Sequence, residues 1–355
     1  MKDMLSSQSI VKTEPIDNAT TIFRKVSKAA AKRPKVSGLP ATARAHWRTF
    51  KIVIINAVGQ LAPWSDVTDE KVEEKWNEVV GDSEDILVSR RAARTPAHEL
   101  FQTVKSLTKN QVVATEWKNR FAQAAVDAVS KEWDRRDLHT PAERKEWVER
   151  MLGPEPRNRS SRDRPFLWRA TDSLDWKGDD PNQSGGGLFL GRMVLKVFAE
   201  HLSIIGVPSD PLTPSKRPQG ALMMTIQAIN RALEYSLSGK TLIPLGNDKT
   251  GHFSEENWGD YEQITTHDGK DYRKRVKRAT VFAKTIESLN DERWKAIIDS
   301  AAVYVGKKDP ERVYDRVRVS TVPILEDDDS DGDIIRDAMF DDPSGHSEPR
   351  STETP

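Results

Sequence analysis

Serine and aspartate are plentiful in this 355-residue chain and its seven histidines are scattered, but none stands at a spacing that a known catalytic mechanism needs. His98-Glu99 opens a pattern that would place two histidines one helical turn apart on a zinc ion, but Gln102 occupies the second histidine's position. Gly185-Gly186-Gly187-Leu188-Phe189-Leu190-Gly191 precedes an apolar stretch, as a phosphate-cradling loop would. Arg192 and Met193 follow where a P-loop needs lysine and a hydroxyl, and Leu190 replaces the third glycine of the dinucleotide pattern. We read the cluster as the entry to a buried helix. Asp172, Asp175, Asp179 and Asp180 lack the alternation of a calcium loop, and no G-x-S-x-G elbow exists. His252 and His267, near Asp260 and Asp268, are the nearest approach to a metal or acid–base pair, and their spacing fits surface or capping roles better. With no cysteine, disulfides, thiolate zinc sites and thiol nucleophiles are excluded. No catalytic residue, metal ligand or cofactor is assigned, and a non-enzymatic protein is expected.

The ends carry more specific chemistry. Lys32-Arg33-Pro34-Lys35, with Arg24-Lys25 upstream, has the form of a nuclear-import signal, a basic run for the acidic and aromatic grooves of an import receptor. Val11-Lys12-Thr13-Glu14 fits the SUMO-acceptor consensus. Val11 and Glu14 would seat the peptide so that Lys12 enters the conjugating enzyme. Val322-Pro323-Ile324-Leu325 followed by Glu326, Asp327, Asp328 and Asp329 has the form of a SUMO-interacting motif. Its aliphatic residues would add a strand to the edge of SUMO, and its acids would meet a basic patch beside the groove. Ser330, with Asp333 three residues on, suits an acidophilic kinase.

The elements around these segments follow from charge and periodicity. Net charge is zero. Residues 1–40, however, hold eight Lys/Arg against three Asp/Glu, and residues 321–355 hold two Arg against eleven Asp/Glu. Such polar ends bury too little apolar surface to offset chain entropy, so residues 1–40 and 307–355 are expected to be disordered tails, one basic and one acidic. All ten Trp lie between Trp47 and Trp294, and the core belongs there. No N-terminal apolar stretch resembles a signal peptide and no apolar window is long enough to span a bilayer, so a soluble intracellular protein is expected.

The core reads as mainly α, with eight or nine helices between residues 41 and 306. Residues 41–152 form a first helical group, 153–187 a polar linker and 188–306 a second group. Whether the groups form one bundle or two hinged subdomains stays open. Trp47, Phe50, Ile54, Val58 and Leu61 recur at helical spacing, although the β-branched run Ile52–Ile55 also suits a strand. Thr68 caps a helix carrying Val72, Trp76, Val79 and Val80 that Gly81 ends, and Thr95-Pro96 starts another. Thr140-Pro141-Ala142-Glu143 is a capping box. Leu188–Ile205 is strongly apolar. Leu222, Ile226, Ile229, Leu233 and Leu237 form an apolar stripe, Ser254 caps a helix through Trp258 and Tyr261, and Trp294, Ile297 and Ala301 mark the last core helix.

The second group resembles a known family. Gly187 through Phe198 and His201, Ala221-Leu222-Met223-Met224, Ile229 to Leu233, Gly239, Phe253, Tyr261 and Tyr272 carry the likeness. Arg90-Arg91-Ala92-Ala93-Arg94 and the stretch 164–168 add to it. The family is an uncharacterised all-helical domain of unknown function, abundant in mushroom-forming fungi, and the likeness covers about residues 85–290. It implies a helical fold and no particular activity.

The functional expectation is a nuclear protein-interaction module whose tails engage an import receptor and SUMO. The alternative is a chromatin- or mobile-element-associated protein that binds nucleic acid. For it, the basic head and Arg273-Lys274-Arg275-Val276-Lys277-Arg278 would touch phosphates. On a helix that run would spread its charges around the axis. No membrane partner is expected.

Overall fold

The structure is a computed structural model that describes residues 35–91, 93–109, 113–153, 164–169, 187–208, 213–242, 251–267 and 270–306. It is mainly helical. The elements are α1 (Ala41–Gln60), α2 (Asp69–Val80), α3 (Pro96–Lys109), α4 (Val113–Arg135), α5 (Pro141–Leu152), α6 (Arg192–Ile205), α7 (Gln219–Glu234) and α8 (Glu255–Trp258). They continue with β1 (Tyr261–His267), β2 (Lys270–Val276), α9 (Ala283–Glu287) and α10 (Asp291–Ala302).

Local signals set several helix ends. The Thr68 hydroxyl accepts from the Lys71 N–H at 3.2 Å, and Gly81 ends α2. Thr140 and Glu143 form the reciprocal capping box, each side chain accepting the other's backbone N–H. The β-branched run in α1 is helical because Trp47, Phe50 and Ile54 lie on its buried face and tertiary packing overrides local propensity.

At the centre lies α7, buried at every position from Gly220 to Leu233. An apolar stripe suits a helix that covers one side of a core; burial all round marks a helix enclosed by others. Here α1, α4, α5, α6 and α9 all pack on α7. One hydrophobic cluster runs from Leu39 to Ala301, so packing crosses the two groups drawn along the chain.

The polar stretch 153–187 holds more structure than its composition implies. Pro165–Leu167 form a 3-10 turn, Trp168 is buried, and Trp168 makes a β-bridge to Leu188. The turn also packs on α5 and α6. The apolar residues of this RPFLW segment are therefore core, placed beside Gly191, where a Cβ would lie 2.0 Å from the Phe166 carbonyl oxygen. Gly191 itself donates to the Leu167 carbonyl at 3.2 Å. The N-terminus of α6 is thus closed by backbone, and the glycine there serves close packing. The expected helix from Leu188 begins only at Arg192, because Phe189 takes a positive φ of 61° and breaks the helical path.

The second correction concerns residues 254–278. The helix after Ser254 stops at Trp258, and the Ser254 side chain makes no cap bond. Tyr261 then begins an antiparallel two-stranded sheet, and the basic run 273–276 lies in β2 rather than on a helix. The physical reason is local: Ile264-Thr265-Thr266 favours extended backbone. Among the described residues, no helix is long and apolar enough to cross a membrane.

Candidate nucleic-acid interface

The β1–β2 hairpin pairs Tyr261 with Val276, Glu262 with Arg275, Gln263 with Lys274 and Ile264 with Arg273. Residues directly opposite share a face, and faces alternate along each strand. Arg273 and Arg275 therefore share one face with Ile264 and Glu262. Tyr272 and Lys274 share the other with Tyr261 and Gln263. Arg273, Lys274 and Arg275 are exposed, as are Tyr261 (47%), Ile264 (58%) and Tyr272 (53%). A two-stranded hairpin with both faces in water is marginal by itself, so its base must be held.

Asp260 holds it. Its carboxylate accepts the backbone N–H groups of Arg278 (2.9 Å), Ala279 (2.8 Å) and Thr280 (3.1 Å), and the Thr280 hydroxyl at 2.6 Å. Burial alone would raise this carboxyl, but the hydrogen bonds outweigh it and keep Asp260 below the ordinary aspartate value. Just beyond β2, Arg278 stacks on the Trp258 ring at 3.8 Å and donates to the Asn257 carbonyl at 2.6 Å and to Glu234 at 3.2 Å.

These anchors lead back to α7. Gln227, Asn230, Arg231 and Glu234 recur at helical spacing on that enclosed helix. Gln227 donates to the Trp258 carbonyl and accepts from the Trp64 indole at 2.9 Å. Arg231 donates to the Gly251 carbonyl at 2.6 Å and stacks on Tyr235 and Phe253. Asn230 links Arg164 to Glu234. This polar stripe pins residues 251–260 and the hairpin base to the core. Between it and the hairpin lies a cavity of about 390 Å³, with Arg164, Lys277 and Arg278 among its cations and Trp258, Tyr261 and Phe282 among its aromatic walls.

No protein-family model, curated protein or solved structure matches this chain. The reading therefore rests on the site's own geometry.

Most sequence candidates cannot be set beside it. Lys12, Glu14, Lys32, Arg33, Pro34, Val322, Ile324, Leu325, Asp327, Asp328, Asp329 and Ser330 lie outside the described residues, as do Asp172, Asp175, Asp179 and Asp180. Lys35 is described: half-buried, its carbonyl accepting the Gly38 N–H at 2.9 Å, four residues before buried Leu39. Asp260 is spent on backbone amides, and the described residues hold no cluster of three His, Asp or Glu placed for a metal. The basic run 273–278 was visible in sequence, but the hairpin was not. The signal was Asp268-Gly269, the dipeptide favoured in two-residue hairpin turns, flanked by Ile264-Thr265-Thr266 and Tyr272. The stripe on α7 also had a signal: four polar residues at helical spacing opposite Leu222, Ile226, Ile229 and Leu233.

Proposed function

We propose that this protein is a non-enzymatic nuclear protein that binds duplex DNA through the β1–β2 hairpin. The observation that carries the reading is the exposed ribbon with cations on both faces: Arg273 and Arg275 on one, Lys274 on the other. A two-stranded ribbon fits the major groove, where phosphates flank it on either side. Cations on both faces suit that setting better than a flat surface. Tyr261 and Tyr272 add exposed aromatic contact beside Lys274. The clasp at Asp260 and Arg278 fixes the ribbon's direction before binding, which lowers the entropy cost of docking.

The test is a salt titration of full-length protein on a random-sequence duplex by fluorescence anisotropy. Each phosphate neutralised releases counterions, so log K falls linearly with log salt. Replacing Arg273, Lys274 and Arg275 by Ala should flatten the slope by about 1 per residue removed. Binding absent at low salt, or an unchanged slope in the triple variant, overturns the proposal.

The ends support a second role in the same protein. Lys32-Arg33-Pro34-Lys35 would engage an import receptor, Lys12 would accept SUMO, and residues 322–331 would bind it, the support being the order of residues in each segment. The likeness to the fungal helical family is likewise proposed on the quoted residues alone and adds no activity.

A further inference from the structure

The sheet holds β1 and β2 alone, so each strand keeps one edge with no strand beside it among the described residues. An uncovered edge is a row of backbone donors and acceptors open to a further strand. The hairpin packs chiefly on itself and is joined to the core at its base. A third strand is what such a marginal ribbon lacks. Tyr272, 53% exposed, is the large apolar side chain that β2 turns to water.

Charge on the ribbon is unbalanced as well. Residues 261–278 hold six Lys/Arg against three Asp/Glu. Arg275 has the Asp260 carboxylate at 3.7 Å and Glu262 across the ladder, and Arg278 has Glu234. Among the described residues, Arg273, Lys274 and Lys277 have no ion pair and no side-chain hydrogen bond.

The same chain carries a segment whose order of residues matches this edge. Val322-Pro323-Ile324-Leu325 is followed by six acids in the eight positions from Glu326 to Asp333, with no cation among them. Laid parallel to β2, Leu325 falls beside Tyr272, Glu326 beside Arg273, Asp327 beside Lys274 and Asp328 beside Arg275. The antiparallel direction reverses the order and carries the aliphatic residues to the cations. Side chains of an added strand alternate between the two faces as those of β2 do, so the acids meet cations on both. Pro323 comes at the start of the pairing, where a missing N–H is tolerated.

Reach is sufficient. The last described residue is Gly306, and Glu326 follows it by 20 residues. Such a connection spans about 25 Å as a coil and about 65 Å at full stretch, against a diameter of about 48 Å for a globule of this size.

We propose that residues 322–331 dock on the free edge of β2 of their own chain as a third, parallel strand and cover the ribbon from within the molecule. The contact stands on the hairpin's geometry; its consequence, a self-blocked DNA interface, rests on the reading of the hairpin given above. Tethering sets an effective concentration of about a millimolar. A contact with an intrinsic dissociation constant of about 100 µM then covers the ribbon about nine-tenths of the time, and its release raises DNA affinity about tenfold.

Zero-length carbodiimide cross-linking of the full chain without DNA tests the contact, on a mixture of isotopically light and heavy protein. Lys274 or Lys277 should link to acids between Glu326 and Asp333, and each linked pair should carry one isotope. Mixed pairs would put the segment on a second copy, and no link between these groups would remove the contact; either result overturns the proposal. Ile324→Ala with Leu325→Ala leaves the charge unchanged and should cut the link yield severalfold. In the anisotropy titration the same variant should bind duplex about tenfold more tightly than the parent, a gain that loss of acidic charge cannot explain. An unchanged link yield in the double variant overturns docking as a strand. Links that form in a chain with no affinity for duplex would sink the DNA reading and uphold this contact.

Discussion

A side chain on Gly59 would have to enter the space held by the His201 imidazole: a Cβ there would lie 2.5 Å from the ring's Cε1. Gly59 is in the last turn of α1 and His201 is wholly buried on α6. From α4, the Trp117 indole donates to His201 Nδ1 at 3.3 Å, and the Trp117 ring stands edge-on to the imidazole. Three helices thus meet at one ring, and the glycine is what lets α1 approach it.

Gly59→Ala should therefore destabilise the fold, although alanine is the better helix former by about 1 kcal/mol. Overpacking a closed core costs about 1–3 kcal/mol, and the Trp117 indole holds the imidazole from the other side. Urea unfolding should show a lower midpoint with unchanged m. A midpoint equal to or above the parent's would show that His201 can move aside.

Burial pushes His201 from the ordinary 6.5 down to about 3. The unfolded chain takes up this proton near pH 6.5 and the folded one only near pH 3, so between them the unfolded state binds more protons. The stability this neutral histidine provides is complete above pH 6.5. It is lost as pH falls toward 3, at up to about 1.4 kcal/mol per unit. Denaturation at pH 7.5, 5.5 and 4.5 should give parent and His201→Leu curves whose separation shrinks as pH falls. Parallel curves would contradict the assignment.

Asp260→Ala should loosen the hairpin and spare the core. The variant loses three backbone acceptor contacts and the Thr280 bond, at a local cost of about 2–4 kcal/mol. Hydrogen exchange should quicken in residues 261–276 and stay slow in α4 and α7. Equal acceleration throughout would mean that Asp260 supports the whole fold rather than the hairpin.

Changing Lys32, Arg33 and Lys35 to Ala in a fluorescent fusion should move the protein from nucleus to cytoplasm. Unchanged nuclear signal would remove the import assignment.

A peptide spanning residues 319–335 should shift NMR signals along SUMO's edge strand. The expected affinity is in the tens of micromolar, about 6–7 kcal/mol, because Pro323 removes one ladder bond. Ile324→Ala with Leu325→Ala should abolish the shifts and added salt should weaken them. A double variant that binds like the parent would reduce the contact to charge alone.

Sequence was most informative where structure is decided locally. The Thr140–Glu143 box and the Thr68 cap are settled within four residues, and both helices begin as their spacing implies. Burial around all of α7 was not legible, because Gln227, Asn230 and Arg231 look like a solvated face until their partners at Trp258, Arg164 and Gly251 are known. Trp168 was hidden for the same reason: its polar flanks describe a linker, and only the bridge to Leu188 places it in the core. The candidate interface was half visible. Charge at Arg273–Arg278 shows in composition, whereas the strand that displays it depends on pairing with β1 and on a clasp from Asp260.

The position of α7 in the chain bears on how the protein is made. The apolar faces of α1 and α4 close against a helix that begins 84 residues after α4 ends. At about 5–20 residues per second, a ribosome takes roughly 4–17 seconds to supply it. Throughout that interval residues 41–135 must hold their tryptophan-rich surfaces without their partner, so chaperone demand should peak during synthesis of residues 135–234 and end once α7 clears the exit tunnel.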